Sequence, residues 1–260
     1  MRVPNFFLAL LCAPLVPLAV PGAAVAQDEP TSLVYGTYMQ CNPMAGQRLS
    51  EITRDVWAPI IQKHVDAGHL TAWGSLTHNT GGPWSRVVYT AGTDRAVLLE
   101  TLQQVMGEWY ETSPETMNEY FDACPTHEDY IWAYETGSTP ADRAGMDRAS
   151  AGMSVYWVCE EGRESAADEI VEQVFAPIYN AQVEAGLMNA WGWYSHFIGG
   201  KYRRLLSMDG PSHEALLQAR DNIIEAMNSE VSGMSDAFAD VCNGHTDYLW
   251  DISMTGQYEE

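Results

Sequence analysis

The sequence predicts an α+β protein in which one βαββαβ unit occurs twice in tandem. The stretch CPTHEDYIW at 124–132 recurs as CNGHTDYLW at 242–250, and the same offset of 118 residues aligns the flanking segments without a gap. Roughly 27 of the 95 positions from 38 to 132 are identical to their partners in the second copy. Each copy also alternates strand-like and helix-like apolar patterns in the same order. Because a solenoid needs about three or more repeats, we interpret the two copies as a duplicated domain.

Residues 1–26 have the pattern of an export signal that precedes the first copy. Arg2 is followed by an apolar run that prolines interrupt, and the run ends in the small-x-small pattern of residues 24–26, before Gln27. The prolines and the short length of the run argue against the alternative, a lasting membrane anchor. We therefore predict a signal peptide over 1–26 and an exported protein, periplasmic or extracellular, with no stable membrane anchor.

Each copy begins with a β-rich run, at 32–41 in the first copy and at 153–159 in the second. An amphipathic helix follows, over about 49–67 in the first copy, because apolar residues recur there at helical spacing. Gly68 and Gly186 come directly after this helix. We expect both glycines to end the helix with a positive φ.

Two strands, a helix, a short helix and a final strand complete each copy. Pro59 and Pro177 lie inside the first helix, so we expect a kink or a new start there. The final strands contain HEDYIWAYE and HTDYLWDIS. The expected strands and helices between are 70–78, 85–91, 94–110 and 114–122 in the first copy and 188–197, 202–208, 212–229 and 232–240 in the second.

This order of elements is that of the ferredoxin-like split unit. We predict a first ferredoxin-like unit over 32–136 and a second over 153–256. The residues between them, 137–152, are rich in Gly, Ser, Pro, Asp and Ala, a composition that predicts a linker.

Four cysteines follow the predicted signal peptide, namely Cys41, Cys124, Cys159 and Cys242. In a ferredoxin-like sheet the first and last strands are antiparallel neighbours, so the end of the first strand lies beside the start of the last. We therefore predict the disulfides Cys41–Cys124 and Cys159–Cys242, each closing a loop of about 80 residues worth roughly 4 kcal/mol. The alternative is a four-cysteine zinc site, which usually contains close CxxC pairs that this chain lacks.

The chain is strongly acidic, with 13 Lys and Arg against 35 Asp and Glu and a formal net charge of −22. Such a surface repels phosphate backbones, so we predict no nucleic-acid partner. Binding of cations or basic ligands would be a functional use of this charge. Solubility in a salty environment is the simpler interpretation, because no run of five consecutive acidic residues occurs.

The duplicated βαββαβ unit resembles the dimeric α/β-barrel superfamily, in which two ferredoxin-like antiparallel sheets face each other and close a barrel with helices outside. The resemblance covers nearly the whole mature chain and rests on element order and duplication. It implies a barrel formed within one chain, as a monomer or a homo-oligomer. The superfamily includes cofactor-free monooxygenases, haem-degrading enzymes, haem peroxidase-like proteins and stress-response proteins, so the resemblance leaves the function open.

The repeated final strand contains the candidate catalytic residues, which are His127, Asp129, His245 and Asp247. A His–Asp pair at i and i+2 lies on one face of a strand and can orient the imidazole for proton transfer or metal binding. The alternative is that each pair caps the turn before the strand.

The same strand places aromatic side chains on its other face, namely Tyr130 and Trp132 in the first copy and Tyr248 and Trp250 in the second. If that face lines a space between the sheets, these residues form the wall of an apolar ligand pocket. The alternative is that they pack in the core.

A second candidate ligand site lies near the glycine turn of each copy. His78 and His196 end one strand, and Arg86 and Arg204 follow in the next. A histidine and an arginine at one hairpin mouth could hold an anionic or carbonyl-bearing ligand. The alternative is a satisfied polar edge with each arginine paired to a carboxylate.

The function that these patterns favour is binding of a small apolar or amphipathic molecule in an aromatic-lined cavity between the sheets. The alternatives are a cofactor-independent or haem-dependent oxygenase and a stress-related or structural scaffold without catalysis. The chain contains no GxSxG, Walker or HExxH motif. No cofactor is predicted, with haem or a divalent metal ion kept as alternatives because His78, His127, His196 and His245 form two symmetric pairs.

Overall fold

The computed structural model describes residues 32–138 and 149–257. The predicted signal peptide and most of the predicted linker lie outside these ranges. Within them, no helix combines the length and the apolar character needed to cross a membrane.

The two halves of the chain contain the same succession of elements. The amino half contains β1 (Leu33–Gln40), α1 (Gly46–Ile52), α2 (Ala58–Asp66), β2 (Ala72–Gly81), β3 (Arg86–Gly92), α3 (Arg95–Thr112), α4 (Pro114–Ala123) and β4 (Thr126–Gly137). The carboxy half contains β5 (Ala151–Val158), α5 (Glu164–Ile170), α6 (Ala176–Glu184), β6 (Ala190–Ile198), β7 (Arg204–Gly210), α7 (His213–Ser229), α8 (Ser232–Val241) and β8 (Gly244–Gln257).

The eight strands form one closed antiparallel barrel in the order β1-β3-β2-β8-β5-β7-β6-β4. Within each half the first strand pairs with the last, as β1 does with β4 and β5 with β8. Two further pairs, β2 with β8 and β4 with β6, join the halves. The prediction of an α+β chain that closes an antiparallel barrel is confirmed, and closure leaves no sheet edge unpaired.

In each half, a π-helical turn interrupts the first helix just before the proline. A π-helical turn over Thr53–Trp57 joins α1 to α2 and puts Pro59 in the first turn of α2. The carboxy half repeats this with a π-helical turn over Val171–Phe175 before Pro177. Proline has no N–H to donate within a helix, and the wider π-helical turn accommodates it. The expected start of a new helical segment at each proline is therefore confirmed.

Glycines allow a positive φ at the helix ends and a close side-chain contact in a strand. Gly68 and Gly186 follow the helices with φ values of 74° and 72°, as predicted. In β2, Gly74 lies under the ring of Tyr89, which occupies the space a Cβ would need. Gly74 therefore permits close approach of a side chain from the neighbouring strand β3.

Both predicted disulfides are present. Cys41 is bonded to Cys124 and Cys159 to Cys242, with 3.9 Å between the Cα atoms of each pair. Each bond joins the end of the first strand of its half to the start of the last strand, so the pairing follows from the antiparallel sheet.

Candidate functional site

The final strand of each half presents two chemically different faces. In β4, Tyr130 and Trp132 point into the barrel, while His127 and Asp129 point outward to the helices. In β8 the same alternation occurs at the equivalent positions. The predicted separation of the two faces is therefore correct, and the His–Asp pairs belong to the space between the barrel wall and the helices.

The inward-facing aromatic residues pack into an interior aromatic cluster. Tyr130 stacks on Trp132 with 4.9 Å between ring centroids, and Tyr248 stacks on Trp250 with 4.7 Å. All four side chains are at most 1% exposed. The indole N–H of Trp132 donates a hydrogen bond of 3.0 Å to the hydroxyl of Tyr38. Stacked rings with satisfied polar atoms fill and stabilise this part of the barrel.

A cavity of about 450 Å³ lies inside the barrel beside the interior aromatic cluster. Tyr38, Tyr156 and Trp250 line part of it, and the hydroxyls of Ser154 and Ser207 add polar groups. An aromatic-lined space between the sheets is therefore present, but no histidine lines it.

A second and more apolar space, which we term the carboxy-half pocket, lies between the outer face of β5, β7 and β8 and the helices α7 and α8. Its volume is about 480 Å³. Its apolar walls include Met153, Trp193, Met208, Ile223, Met227 and Phe238. Methionine and aromatic walls adapt to flat, apolar ligands, and the volume suits a small molecule.

A few polar groups converge at the mouth of the carboxy-half pocket. The Nε2 atom of His245 lies 3.5 Å from Oδ1 of Asp247, and Nη2 of Arg220 lies 3.8 Å from Oδ2 of Asp247. The side chain of His245 is 46% exposed and also lines the pocket, so it is accessible from both solvent and the pocket. The indole ring of Trp157 lies 4.5 Å from the imidazole of His245 between ring centroids. Its Nε1 atom is buried and has no hydrogen-bond partner within residues 32–138 and 149–257. The pocket thus combines a potential base with donors for a developing negative charge.

The amino half contains a smaller counterpart, the amino-half pocket, of about 230 Å³. Here Nε2 of His127 lies 3.5 Å from Oδ2 of Asp129. Burial, together with the nearby charge of Asp129, raises the pKa of Tyr35 to about 12. Burial also raises the pKa of Tyr120, against the opposing effect of the Arg86 guanidinium. Both tyrosines therefore remain protonated donors at neutral pH.

The other two predicted histidines lie on the inner side of the barrel wall. His78 contacts Tyr248, with 6.3 Å between the rings, and is exposed at the barrel end. His196 is close to Arg203, with 3.0 Å between Nδ1 and Nη1, and burial lowers its pKa. Because His127 and His245 lie on the outer side, the symmetric histidine pairs do not meet. Among residues 32–138 and 149–257, no group of three or more His, Cys, Asp or Glu could hold a metal ion.

The two predicted arginines are buried on the helix side of the barrel wall, whereas His78 and His196 lie on its inner side. Arg204 forms a two-pronged ion pair with Asp168, with both N–O distances at 2.6 Å. Nη2 of Arg86 instead donates to Oγ of Ser50 at 2.9 Å and to the carbonyl oxygen of Gly46 at 3.2 Å.

Sequence reasoning missed the groups that the helices contribute. Arg220 in α7 and Tyr120 in α4 reach the pockets only because their helices dock on the outer face of the barrel. One signal was available for Arg220, since it directly follows Ala219 on the buried side of α7.

Comparisons with known proteins identify the fold. No protein-family model and no curated protein matches the chain. Among solved structures, an anthrone oxidase-like protein matches with a TM-score of 0.55 and 12% identity over 90% of this chain and 95% of that chain. A proposed monooxygenase from Fusobacterium nucleatum matches with a TM-score of 0.60 and 7% identity over 87% and 94%. A chlorite dismutase mutant from Candidatus Nitrospira defluvii matches with a TM-score of 0.54 and 7% identity over 86% and 93%. These likenesses confirm the predicted barrel fold, and identities this low establish nothing beyond the fold.

Proposed function

We propose that this protein is an oxygenase that binds a flat, apolar aromatic molecule in the carboxy-half pocket. The observation that carries the proposal is a 480 Å³ apolar pocket with the His245–Asp247 pair at its mouth. Structural neighbours described as an anthrone oxidase-like protein and a proposed monooxygenase support oxygen chemistry over binding alone.

A base, a bound carbon acid and dioxygen are sufficient for the cofactor-independent reaction. His245 removes a proton from a methylene carbon that is conjugated through aromatic rings to a carbonyl group, and Asp247 stabilises the imidazolium that forms. The N–H groups of Trp157 and Arg220 are the donors available to the resulting enolate oxygen. The carbanion adds O2 to give a peroxide anion, which takes the proton back from the His245 imidazolium. The resulting hydroperoxide loses water, so the net change converts CH2 and O2 into C=O and H2O.

Haem is the cofactor alternative for the same pocket. The residues fit it chemically, because an imidazole beside a carboxylate is a suitable ligand for iron and the walls are apolar. His245 would hold the iron, and the haem would supply electron-transfer and O2 chemistry. The absorbance spectrum of the purified protein decides between the two, since a Soret band indicates haem.

The direct test measures oxygen uptake with anthrone as the probe, for the wild type and two matched variants. We expect His245→Ala to lower the rate about 100-fold, because a positioned general base contributes at least that factor. His127→Ala, the same change at the equivalent position of the amino half, should keep the rate. Equal rates for wild type and His245→Ala would refute the proposal. Saturable binding of anthrone by the wild type without oxygen uptake would also refute it and would support ligand binding without catalysis. Neither binding nor uptake would favour the scaffold alternative.

We also propose that the halves are tandem ferredoxin-like units, 32–136 and 153–256, joined by the linker 137–152. Internal sequence identity supports this duplication. Two disulfides support export to an oxidising compartment, the periplasm or the extracellular space, with Gln27 as the expected mature amino terminus.

A further inference from the structure

The cavity inside the barrel, which we term the barrel cavity, lies at the end of the barrel where β1, β2, β5 and β6 begin. Val34, Ala72, Gly152 and Ala190 line it, and each is the first or second residue of its strand. Thr71 at the rim is exposed and Ala72 is partly exposed, so this end of the cavity is in contact with solvent. The interior aromatic cluster closes the other end.

Three buried hydroxyls line the closed end of the barrel cavity. They belong to Tyr38, Ser154 and Tyr156, which are at most 5% exposed. The indole N–H of Trp132 donates to the hydroxyl of Tyr38 at 3.0 Å. The indole N–H of Trp250 donates to Oγ of Ser154 at 3.2 Å. Because the hydroxyl of Tyr156 forms hydrogen bonds with both Tyr38 and Ser154, the three hydroxyls are linked in a row, which we term the hydroxyl chain.

The hydroxyl chain has one more hydrogen than its internal bonds use. Both indoles can only donate, so the hydroxyls of Tyr38 and Ser154 act as acceptors toward them. The three hydroxyls supply three hydrogens but share only two hydrogen bonds with one another. One hydrogen is therefore left without an acceptor inside the chain, and whichever hydroxyl carries it lines the cavity. An oxygen atom of a ligand at the closed end would accept this hydrogen.

The charges around the barrel cavity favour a neutral ligand. Burial raises the pKa of Tyr38 to about 12 and also raises the pKa of Tyr156, so both phenols stay neutral donors at neutral pH. No lysine, arginine or histidine is among the described residues that line the cavity, whereas Asp209 supplies a carboxylate. A carboxylate or phosphate group on a ligand would therefore lose its hydration without gaining a cationic partner from these residues.

The other walls of the barrel cavity are apolar, and its size is that of a small-molecule site. A volume of about 450 Å³ accommodates roughly two or three fused rings. The ring of Trp250, whose N–H is already satisfied by Ser154, offers an apolar surface to such a molecule. The aliphatic lining includes Val34, Leu76, Val87, Leu205 and Ile252.

The barrel cavity and the carboxy-half pocket lie on opposite sides of the barrel wall. Gly152 and Ser154 line the barrel cavity, whereas Met153 and Val155, on the other face of β5, line the carboxy-half pocket. Among the described residues, only Met208 lines both. A ligand in one space therefore leaves the other space open.

We propose that the barrel cavity is a second binding site, which takes a neutral fused-ring aromatic molecule whose carbonyl oxygen accepts a hydrogen bond from the hydroxyl chain. A carbonyl oxygen satisfies the remaining hydroxyl hydrogen without bringing a charge into the barrel. The site uses a different face of the sheet from the proposed oxygenase pocket, so it stands independently of the proposed function.

The test is equilibrium dialysis of the full-length protein with coumarin, a neutral two-ring carbonyl compound. The double variant Gly152→Val and Ser207→Leu fills part of the cavity, so the wild type should bind one more equivalent of coumarin per chain than this variant does. A Cβ atom at Gly152 would meet its nearest neighbours at 3.6 Å or more, and the equivalent residue of the amino half is Val34. Ser229→Leu, at an exposed position of α7, is the control and should match the wild type.

Equal coumarin binding by the wild type and the double variant would overturn the proposal, as would absence of saturable binding to the wild type. Two further ligands keep the proposal falsifiable if the double variant does not fold. Naphthalene, which has the size of coumarin but no oxygen, should bind the wild type about fivefold more weakly, because the hydroxyl hydrogen stays without an acceptor. Coumarin-3-carboxylate should bind about tenfold more weakly, because its charge has no cationic partner. Affinities equal to that of coumarin for either ligand would contradict the proposed recognition.

Discussion

At the scale of single residues, the two halves differ in the ion pairing of their buried arginines. The side chain of Arg204 is 8% exposed and is paired with Asp168, whereas Arg86 is also buried and forms no ion pair with a carboxylate in the described parts of the chain. Such pairs contribute little net stability when intact, but removing one partner leaves a charge in an apolar environment. The ion pair of Asp168 and Arg204 should therefore be costly to break.

We predict that Asp168→Ser lowers the free energy of unfolding by about 3 kcal/mol, because Arg204 is left buried and unpaired. Urea denaturation measures the change. The matched control is Glu160→Ser, which removes an exposed ion pair to Arg163 and should cost less than about 1 kcal/mol. Equal losses in the two variants would contradict this account of the buried pair.

At the scale of elements, the first and last strands of each half are tied together twice. Hydrogen bonds pair β1 with β4 and β5 with β8, and a disulfide joins the ends of each pair. The bonded cysteines are 83 positions apart in both halves. Because the two disulfides close loops of equal length, they should reduce the conformational entropy of the unfolded chain by equal amounts.

We predict that replacing Cys41 and Cys124 together by serine lowers the free energy of unfolding by roughly 4 kcal/mol. Replacing Cys159 and Cys242 should cost a similar amount, because the loops have the same length. Urea denaturation of the two double variants checks this. A stability unchanged in either variant would show that the disulfides do not restrict the unfolded chain as proposed.

At the scale of the whole molecule, the barrel depends on both halves. The strand pairs β2–β8 and β4–β6 are the seams, and each seam combines one strand from each half. An isolated half would expose the aromatic face of its sheet and two unpaired strand edges.

We predict that the halves remain associated after cleavage between them. A protease site inserted within 139–148 should yield, after digestion, a complex that elutes at the volume of the uncut protein, because both seams persist. The uncut variant in the same buffer is the control. Separation of the fragments on gel filtration in the absence of denaturant would contradict this description of the seams.

Much of this architecture could be predicted from the sequence, because the repeat and the strand period constrain it strongly. The disulfide of Cys41 with Cys124 followed from antiparallel pairing, and the opposite faces of His127 and Tyr130 followed from alternation. Which face met the helices could not be predicted, since both faces of β4 contain large apolar residues. The contact between Ser50 and Arg86 could not be predicted either, because the Ser50 hydroxyl reaches Arg86 only when helix α1 packs against the barrel.

The measurement that tests the central claim most directly is the incorporation of isotope from 18O2 during turnover of anthrone. Incorporation of one labelled oxygen per molecule of ketone product by the wild type, and loss of that product in His245→Ala, is the predicted result. Product oxygen that carries no label, or labelled product formed equally by His245→Ala, would contradict oxygenation in the carboxy-half pocket.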